Sequence, residues 1–299
     1  MKRKSVIISV AVIGLLYLGW SRMTTAQGAQ KVNYVPAQKE CFSVEGAHPW
    51  KYCVHKAKNE PVNGDIAYLL HGRNQNEDNW NDDTLYTAQI QQYWEERKIS
   101  PPTVVSVSFG PIWLLTNKAT SEKSGLYEVF INEVIPEIEK RIGKPKERLV
   151  FGESMGGINS LVLGFKTKDV FQKVASLCPV IAETTPYDSY GKMREFLIRT
   201  GADPRIMYGV MFLARDYAAN IDEWNNFSPL KIVDQVDPAH SPEFYLSCGL
   251  YDKYGNYEGV EKLAQIMKAK NIPVEWHPMY GNHCVVDINS VAEFLVRHK

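Results

Sequence analysis

Strand-like and helix-like segments alternate from residue 51 to residue 297, and this alternation constrains the fold more than any other feature of the sequence. Short apolar runs, typical of strands covered on both faces, alternate with segments whose apolar residues recur at helical spacing. The pattern predicts an α/β protein with a mostly parallel sheet and helices on both faces. Ligands bind such sheets beyond the carboxyl ends of the strands, so we expect functional residues directly after strands.

The predicted elements follow one another closely along the chain. Strands are predicted at residues 51–57, 65–71, 103–109, 148–152, 174–180, 244–250 and 273–280, after a strand-like run ahead of residue 45. Helices are predicted at residues 85–98, 127–142, 155–165, 259–270 and 290–297. Pro136 lies inside the second of these helices, where we expect a kink.

Residues 182–241 interrupt the alternation and are largely helical in pattern. We interpret them as an insertion after the sixth strand that lies over the top of the sheet and caps a site. Ordinary packing helices are the alternative interpretation. With this insertion included, residues 27–299 are predicted to form a single domain.

The N-terminal segment has the pattern of an export signal. Basic residues at positions 2–4 precede an uncharged segment, 5–20, and the small residues Thr24 and Ala26 follow it. A helix of that length spans about 24 Å, less than the roughly 30 Å hydrocarbon core of a bilayer. The pattern predicts a signal peptide over residues 1–26, with an uncleaved membrane anchor as the alternative. The protein is therefore predicted to be secreted or periplasmic.

Composition excludes several classes of protein. The 34 basic and 34 acidic residues balance, which argues against a nucleic-acid partner because phosphate binding requires a basic surplus. Hydrophobic residues make up 44% of the chain and charged residues 23%, ordinary values that exclude a disordered chain. With one long apolar stretch, the chain is expected to meet a membrane only through its N-terminal segment.

The five cysteines are interpreted in the light of export. Cys41 and Cys53 flank a turn-rich stretch between two strand-like runs, so a disulfide across that hairpin is predicted. Cys178 and Cys248 lie in apolar strand-like runs and are interpreted as buried thiols, while Cys284 follows a histidine. No pair has the spacing of zinc ligands, and we predict no metal. Because the count is odd, at least one thiol is free or pairs with another chain.

One motif carries most of the functional information. Gly152, Ser154 and Gly156 form a G-x-S-x-G pattern between a predicted strand and a predicted helix. In that context the pattern indicates a nucleophile elbow, whose turn is too sharp for side chains at the two glycine positions. The backbone N–H of Met155 then points toward the reacting oxygen, near a helix N-terminus that favours negative charge.

A serine nucleophile needs a base, and the base needs an orienting acid, in the chain order serine, acid, histidine. His283 follows the last predicted strand and Asp252 follows the strand before it. His277 lies within the last strand, and Asp287 and Glu261 are weaker choices for the acid. The other histidines precede the serine or lie in a loop or at the terminus: His48, His55, His71, His240 and His298.

The turn after the strand at residues 65–71 is the expected source of a second oxyanion donor. Gly72 and Arg73 lie where that backbone donor should be, and we assign it to the Arg73 N–H, with Gly72 as the second choice. His71 is expected to support the loop and not to act as the base.

These motifs together resemble the putative esterase family that includes esterase D, secreted feruloyl esterases and mycolyltransferases. The motifs are YLLHG (68–72), GESMGG (152–157), CGLYD (248–252) and GNH (281–283), and the likeness covers roughly residues 50–298. The resemblance implies an α/β-hydrolase fold, a triad of Ser154, Asp252 and His283, and no cofactor. Glu153 departs from the apolar residue often found before the nucleophile, and it either acts electrostatically on the base or is engaged by a buried hydrogen bond.

The predicted activity is hydrolysis of a carboxylic ester through an acyl-enzyme. Trp113, Trp224 and Tyr187 lie in loops or in the insertion, where they suit a phenolic or sugar-bearing substrate, although aromatic side chains more often simply pack. The expected substrate is a feruloyl, acetyl or other small acyl ester, free or linked to a polysaccharide. Three alternatives remain: an acyltransferase with the same triad, a serine peptidase, and a non-catalytic envelope binding protein.

Overall fold

The computed structural model describes residues 32–59, 61–110, 115 and 125–298. The chain separates into two compact units, Met1–Asn33 and Tyr34–Lys299, and every element given below belongs to the second. The predicted signal peptide and Trp113 lie outside the described residues. Within those residues, no helix has both the length and the apolar character needed to span a membrane.

Eight strands form one sheet in the order β1-β2-β4-β3-β5-β6-β7-β8. The strands are β1 (Gln38–Val44), β2 (Trp50–Lys56), β3 (Ile66–Leu70), β4 (Thr103–Ser108), β5 (Arg148–Glu153), β6 (Lys173–Leu177), β7 (Glu243–Gly249) and β8 (Val274–Met279). β2 pairs antiparallel with both β1 and β4, and the other neighbours are parallel. The fold class predicted from the sequence is confirmed.

Helices cover both faces of this sheet. The described α-helices are α1 (Tyr86–Glu96), α2 (Leu126–Val129), α3 (Ile135–Ile142), α4 (Met155–Lys166), α5 (Tyr190–Thr200), α6 (Pro204–Ala214), α7 (Ile221–Asn225), α8 (Pro229–Ile232), α9 (Asn256–Ala269) and α10 (Ile288–Val296). The kink expected near Pro136 is a π-helical turn, Phe130–Val134, that joins α2 to α3 directly before the proline. Proline lacks an N–H and its ring crowds the preceding turn, and the wider π turn accommodates it.

Two apolar layers enclose the sheet, because successive strand residues point to opposite faces. On β3, Tyr68 packs into a cluster with α2, α3, α4 and α9, whereas Ala67 and Leu69 pack into a second cluster with α1 and α10. The central strands are therefore buried along their whole length, which explains their nearly continuous apolar sequences.

The insertion between β6 and β7 has two parts. Trp224 and other residues around α7 and α8 belong to the main apolar cluster, as ordinary packing helices do. α5 and one side of α6 form a small cluster around Phe196 and Met207, and Tyr254 of the main domain packs against it. Val210 and Ala214 of α6 belong to the main apolar cluster. A capping role for this second part stays a prediction.

Two disulfides are present. Cys41 and Cys53 lie directly opposite each other in the β1–β2 ladder and are bonded. Cys178 is bonded to Cys284, so its interpretation as a buried free thiol was wrong. The backbone has positive φ at both cysteines, at Cys178 directly after β6 and at Cys284 in the loop that follows β8. Cys248 is the free, buried cysteine.

Candidate active site

The turn between β5 and α4 exposes Ser154 above the sheet. Ser154 has φ of 52° and ψ of −111°, a backbone conformation that residues other than glycine rarely adopt. The flanking glycines are required by close approach to β3: a Cβ at Gly152 would lie 2.3 Å from the Leu70 carbonyl oxygen, and one at Gly156 would lie 1.8 Å from it. The turn therefore has the geometry expected of a nucleophile elbow.

The three residues predicted to form a triad lie within hydrogen-bonding distance. Nε2 of His283 is 3.0 Å from Oγ of Ser154, and Nδ1 is 2.7 Å from Oδ2 of Asp252. The Asp252 side chain is fully buried, and that of His283 is 13% exposed. An imidazole that donates from Nδ1 to the carboxylate leaves Nε2 free to accept the serine proton.

Neighbouring groups hold the Asp252 carboxylate in place. Oδ1 accepts hydrogen bonds from the Tyr254 N–H at 2.8 Å and from Asn256 Nδ2 at 3.3 Å. The Cys248 thiol lies 3.7 Å from Oδ2, and burial raises its pKa, which keeps it a proton donor to the carboxylate. Sequence reasoning missed these residues, although Tyr254 and Asn256 follow the aspartate at short spacing and could have been found by asking what binds it.

The His283 ring also packs against an aromatic ring. The centroid of the Tyr254 ring lies 4.4 Å from that of the imidazole, with the planes inclined at 54°. Tyr254 therefore connects the base to the apolar cluster of α5 and α6. Tyr251 and Tyr280, 58% and 83% exposed, follow β7 and β8 beside the triad and pack edge to face.

The two candidate donors after β3 differ in their hydrogen bonds. The Gly72 N–H donates to Oε1 of Gln75 at 3.1 Å, so it already has a hydrogen-bond acceptor within the protein. Within residues 32–59, 61–110, 115 and 125–298, no acceptor binds the N–H of Arg73 or of Met155. The geometry thus favours Arg73 over Gly72 as the partner of Met155 in an oxyanion hole.

His71 lies under this loop. Its Nδ1 donates to the Gly72 carbonyl at 2.7 Å, and its Nε2 lies 2.8 Å from Oγ of Ser108. Burial lowers the pKa of His71, which favours the neutral ring that this arrangement requires. The contacts agree with the supporting role predicted for it.

Glu153 is buried directly before Ser154. Burial raises its pKa, and a hydrogen bond from the amide nitrogen of Gln75 opposes that effect. The structure shows the buried hydrogen bond, and the His283 ring also interacts electrostatically with this carboxyl and lowers its pKa, so both interpretations of this residue stay open. Gln75 was not identified from the sequence, because it follows β3 by five residues in a polar loop that carries no motif.

The weaker candidates for the catalytic base and its orienting acid make other contacts or lie in other parts of the fold. His277 stacks on Tyr245 with ring centroids 4.2 Å apart, which places it on a face of the sheet. Asp287 accepts a hydrogen bond from the Ser290 N–H at the start of α10 and so caps that helix. His240 is exposed and lies in the loop before β7.

The structure describes two of the aromatic residues predicted to bind substrate, Trp224 and Tyr187. Both side chains make contacts within the protein. Trp224 packs edge to face against Phe227 in the main apolar cluster. The hydroxyl of Tyr187 donates to the Ala218 carbonyl. Their role in binding substrate stays a prediction.

Two groups of side chains in the described part of the chain have ligand atoms close enough to share a cation. One contains Cys178 and Cys284, whose sulfurs are bonded to each other and so are not thiolate ligands. The other, Asp65, Glu147 and His298, includes residues that directly precede β3 and β5, at the amino ends of the strands. It lies at the edge of the sheet opposite to Ser154.

Comparison with known proteins shows the family and the fold of this chain. A family model described as putative esterase matches residues 48–294, which confirms the family resemblance found in the motifs. Three solved structures illustrate the likeness of fold. The serine hydrolase FphF of Staphylococcus aureus, a fluorophosphonate-binding protein with substrate bound, is 16% identical, with a TM-score of 0.61 over 88% of this chain and 100% of that chain.

The other two structures are similar to the same degree. A ferulic acid esterase is 18% identical, with a TM-score of 0.62 over 88% of this chain and 98% of that chain. An S-formylglutathione hydrolase from Agrobacterium tumefaciens is 15% identical, with a TM-score of 0.60 over 87% of this chain and 94% of that chain. At these identities the likeness is one of fold.

Proposed function

This chain belongs to the putative esterase family and is a serine carboxylic ester hydrolase, and on that premise we propose that it acts through a triad of Ser154, His283 and Asp252. The observation that carries the proposal is the unbroken path of hydrogen bonds from Asp252 through His283 to Ser154, at 2.7 Å and 3.0 Å. The strained backbone at Ser154 also supports it, because such strain clusters at functional sites.

In the proposed mechanism, Oγ of Ser154 attacks the ester carbonyl carbon while Nε2 of His283 takes its proton. Asp252 accepts the Nδ1–H and stabilises the imidazolium that forms. The N–H groups of Met155 and Arg73 bind the oxyanion, and each contributes about 3 kcal/mol to transition-state stabilisation. His283 then protonates the leaving alcohol, and water attacks the acyl-enzyme by the reverse sequence of proton transfers.

We propose that the substrate is a feruloyl, acetyl or other small acyl ester, free or attached to a carbohydrate. The exposed rings of Tyr251 and Tyr280 beside the triad support this, because aromatic faces stack on phenolic and sugar rings. We propose in addition that the protein is exported by its N-terminal segment, 1–26. Two disulfides support export, because they persist in oxidising compartments.

Kinetics of active-site variants test the triad. Ser154→Ala and His283→Ala should abolish hydrolysis of p-nitrophenyl acetate, whereas His277→Ala, a matched histidine variant six residues away, should retain kcat. Labelling by a fluorophosphonate should disappear in Ser154→Ala. Residual wild-type activity in Ser154→Ala, with the fold intact by circular dichroism, contradicts the proposal.

A panel of acetyl, feruloyl and longer acyl esters, assayed with and without a sugar acceptor, tests the substrate. Hydrolysis should prevail over transfer, and feruloyl or acetyl esters should have the highest kcat/KM. A preference for long acyl chains, or net transfer to the sugar, overturns this part of the proposal. Export is tested by fractionating cells that express the full chain or residues 27–299, and by the mass of the mature N-terminus.

A further inference from the structure

We propose that the Cys178–Cys284 disulfide positions His283 for catalysis and that its reduction by a dithiol switches hydrolysis off. This inference rests on the proposed triad. Cys284 is bonded to His283 along the chain, and Cys178 directly follows the end of β6. The disulfide therefore fixes the residue next to the base to the strand next to the nucleophile.

The backbone of Ser154 is hydrogen-bonded to the same end of β6. The Ser154 N–H donates to the Leu177 carbonyl at 2.9 Å, and Leu177 is the residue before Cys178. A short path, one hydrogen bond and one disulfide, thus connects the backbone of Ser154 to the backbone beside His283. The residues at the two ends of this path carry Oγ of Ser154 and Nε2 of His283, which lie 3.0 Å apart.

The loop at residues 280–286 is held differently on its two sides. Toward β7, the Tyr251 N–H donates to the Gly281 carbonyl at 2.9 Å and the Lys253 N–H donates to Asn282 Oδ1 at 3.2 Å. Toward β6, no hydrogen bond joins residues 280–286 to residues 177–181 in the described chain. Cys284 and Val286 also pack against the apolar cluster that contains Leu177 and Cys178. Reduction would therefore leave only apolar packing on the Ser154 side of the loop, while its hydrogen bonds beside Asp252 stay intact.

The backbone at both cysteines is in a conformation that the disulfide can hold in place. φ is 43° at Cys178 and 61° at Cys284, in the left-handed region that is energetically unfavourable for most residues other than glycine. Such conformations persist where the surrounding structure enforces them. The disulfide supplies that constraint at both residues, and its loss allows both to relax and to move His283 away from Ser154.

The chemistry is thiol–disulfide exchange. Cys178 is fully buried and Cys284 is only partly buried, so a thiolate of the reductant attacks the Cys284 sulfur and displaces the Cys178 thiolate. The second thiol of the reductant then attacks its own sulfur in the mixed disulfide and releases Cys284. Two electrons pass from the dithiol, which leaves as a cyclic disulfide, and the protein gains two thiols. Oxidised glutathione re-forms the Cys178–Cys284 disulfide and leaves as two molecules of reduced glutathione.

Reduction of the wild-type protein by dithiothreitol is the first test. kcat for p-nitrophenyl acetate should fall roughly tenfold to a hundredfold, since a small misplacement of a catalytic group has an effect of that size. KM should change little, because a misplaced base affects the chemical step more than binding. Alkylation and peptide mass analysis establish which cysteines are reduced, and kcat should return on reoxidation. Full kcat with Cys178 and Cys284 both reduced overturns the inference.

The other disulfide provides the matched control. C41S/C53S should retain the wild-type kcat and lose it on reduction, whereas C178S/C284S should have a low kcat that dithiothreitol does not change. A wild-type kcat in C178S/C284S contradicts the inference. If that variant does not fold, the reduction of the wild-type protein, followed by circular dichroism, decides the question.

The result also separates this inference from the proposed function. Residual activity in Ser154→Ala refutes the triad itself. An inactive Ser154→Ala together with a fully active C178S/C284S leaves the triad in place and refutes only the role of the disulfide.

Discussion

Oε1 of Gln75 accepts a hydrogen bond from the Gly72 N–H at 3.1 Å, so the side chain of one loop residue fixes the backbone of the turn after β3. The amide nitrogen of the same side chain donates to Glu153, the residue before the nucleophile. Gln75 thereby ties the two halves of the proposed oxyanion hole together. It also occupies the Gly72 N–H, so that the Arg73 N–H is the donor left for substrate.

Removing this amide should misalign the oxyanion hole. In Gln75→Ala we expect kcat to fall about tenfold or more, because the Arg73 N–H loses its fixed orientation toward the developing charge. KM for a small aryl ester should change much less. Steady-state kinetics on Gln75→Ala and on the exposed neighbour Asn76→Ala check this, and an equal effect of the two substitutions would contradict it.

Glu153 should make stability depend on pH in a defined direction. Because burial raises its pKa, the folded protein binds more protons than the unfolded chain above the ordinary pKa of 4.5. The contribution of this carboxyl is therefore most favourable at low pH and is lost as pH rises through the raised value. Glu153→Gln, which carries no charge, should gain stability relative to the wild type between pH 4.5 and pH 8.

Urea unfolding at both pH values measures the effect of Glu153→Gln. Glu128→Gln, at an exposed carboxyl, is the comparison variant. If the gain in stability of Glu153→Gln over the wild type stays constant or decreases as pH rises, Glu153 is not a buried carboxyl with a raised pKa.

The elbow glycines could be predicted because their signal is local. A strand, a sharp turn and a helix lie within a few residues of Ser154 and predict it as the nucleophile. Asp252 and His283 follow from the rule that parallel strands end at a common edge. The predicted strands agree closely with β3 to β8 because strands buried on both faces have nearly continuous apolar sequences.

Features that depend on distant pairing could not be predicted. The partners Cys178 and Cys284 are 106 residues apart, and no local pattern says that one turns toward the other. Cys41 and Cys53 face each other across one hairpin and could be paired from the sequence. Gln75 was missed for a similar reason, since its contact with Glu153 forms only when β3 and β5 lie side by side.

Gly156 should not tolerate even one methyl group. A Cβ there would lie 1.8 Å from the Leu70 carbonyl oxygen, so Gly156→Ala must displace the elbow or the end of β3. We expect a destabilisation of about 3 kcal/mol or more, in the range of severe core overpacking, and loss of activity.

Gly209 in α6 is the contrasting position, because nothing lies within 4 Å of a Cβ there. Gly209→Ala should stabilise the protein by up to about 1 kcal/mol through helix propensity. Thermal and urea unfolding of the two variants should therefore show changes of opposite sign. A Gly156→Ala protein as stable and active as the wild type would falsify the packing described for the elbow.

His55 on β2 should make the fold sensitive to mild acid. It is 1% exposed, its Nε2 lies 3.2 Å from Oγ of Ser106, and burial lowers its pKa to about 4. The unfolded chain, with an ordinary histidine pKa of 6.5, therefore binds a proton that the folded protein does not bind between pH 6.5 and pH 4. The stability contributed by the neutral ring is complete above pH 6.5 and decreases as pH falls, by about 3 kcal/mol in total.

His55→Gln removes this proton and retains a side chain that can bind Ser106. Its free energy of unfolding should therefore fall less than that of the wild type between pH 7 and pH 4.5, when both are measured by urea titration. His240→Gln, at an exposed histidine, is the comparison variant. If His55→Gln loses as much stability as the wild type over this range, the buried histidine is not the group that senses acid, and the raised stability at neutral pH must come from other side chains.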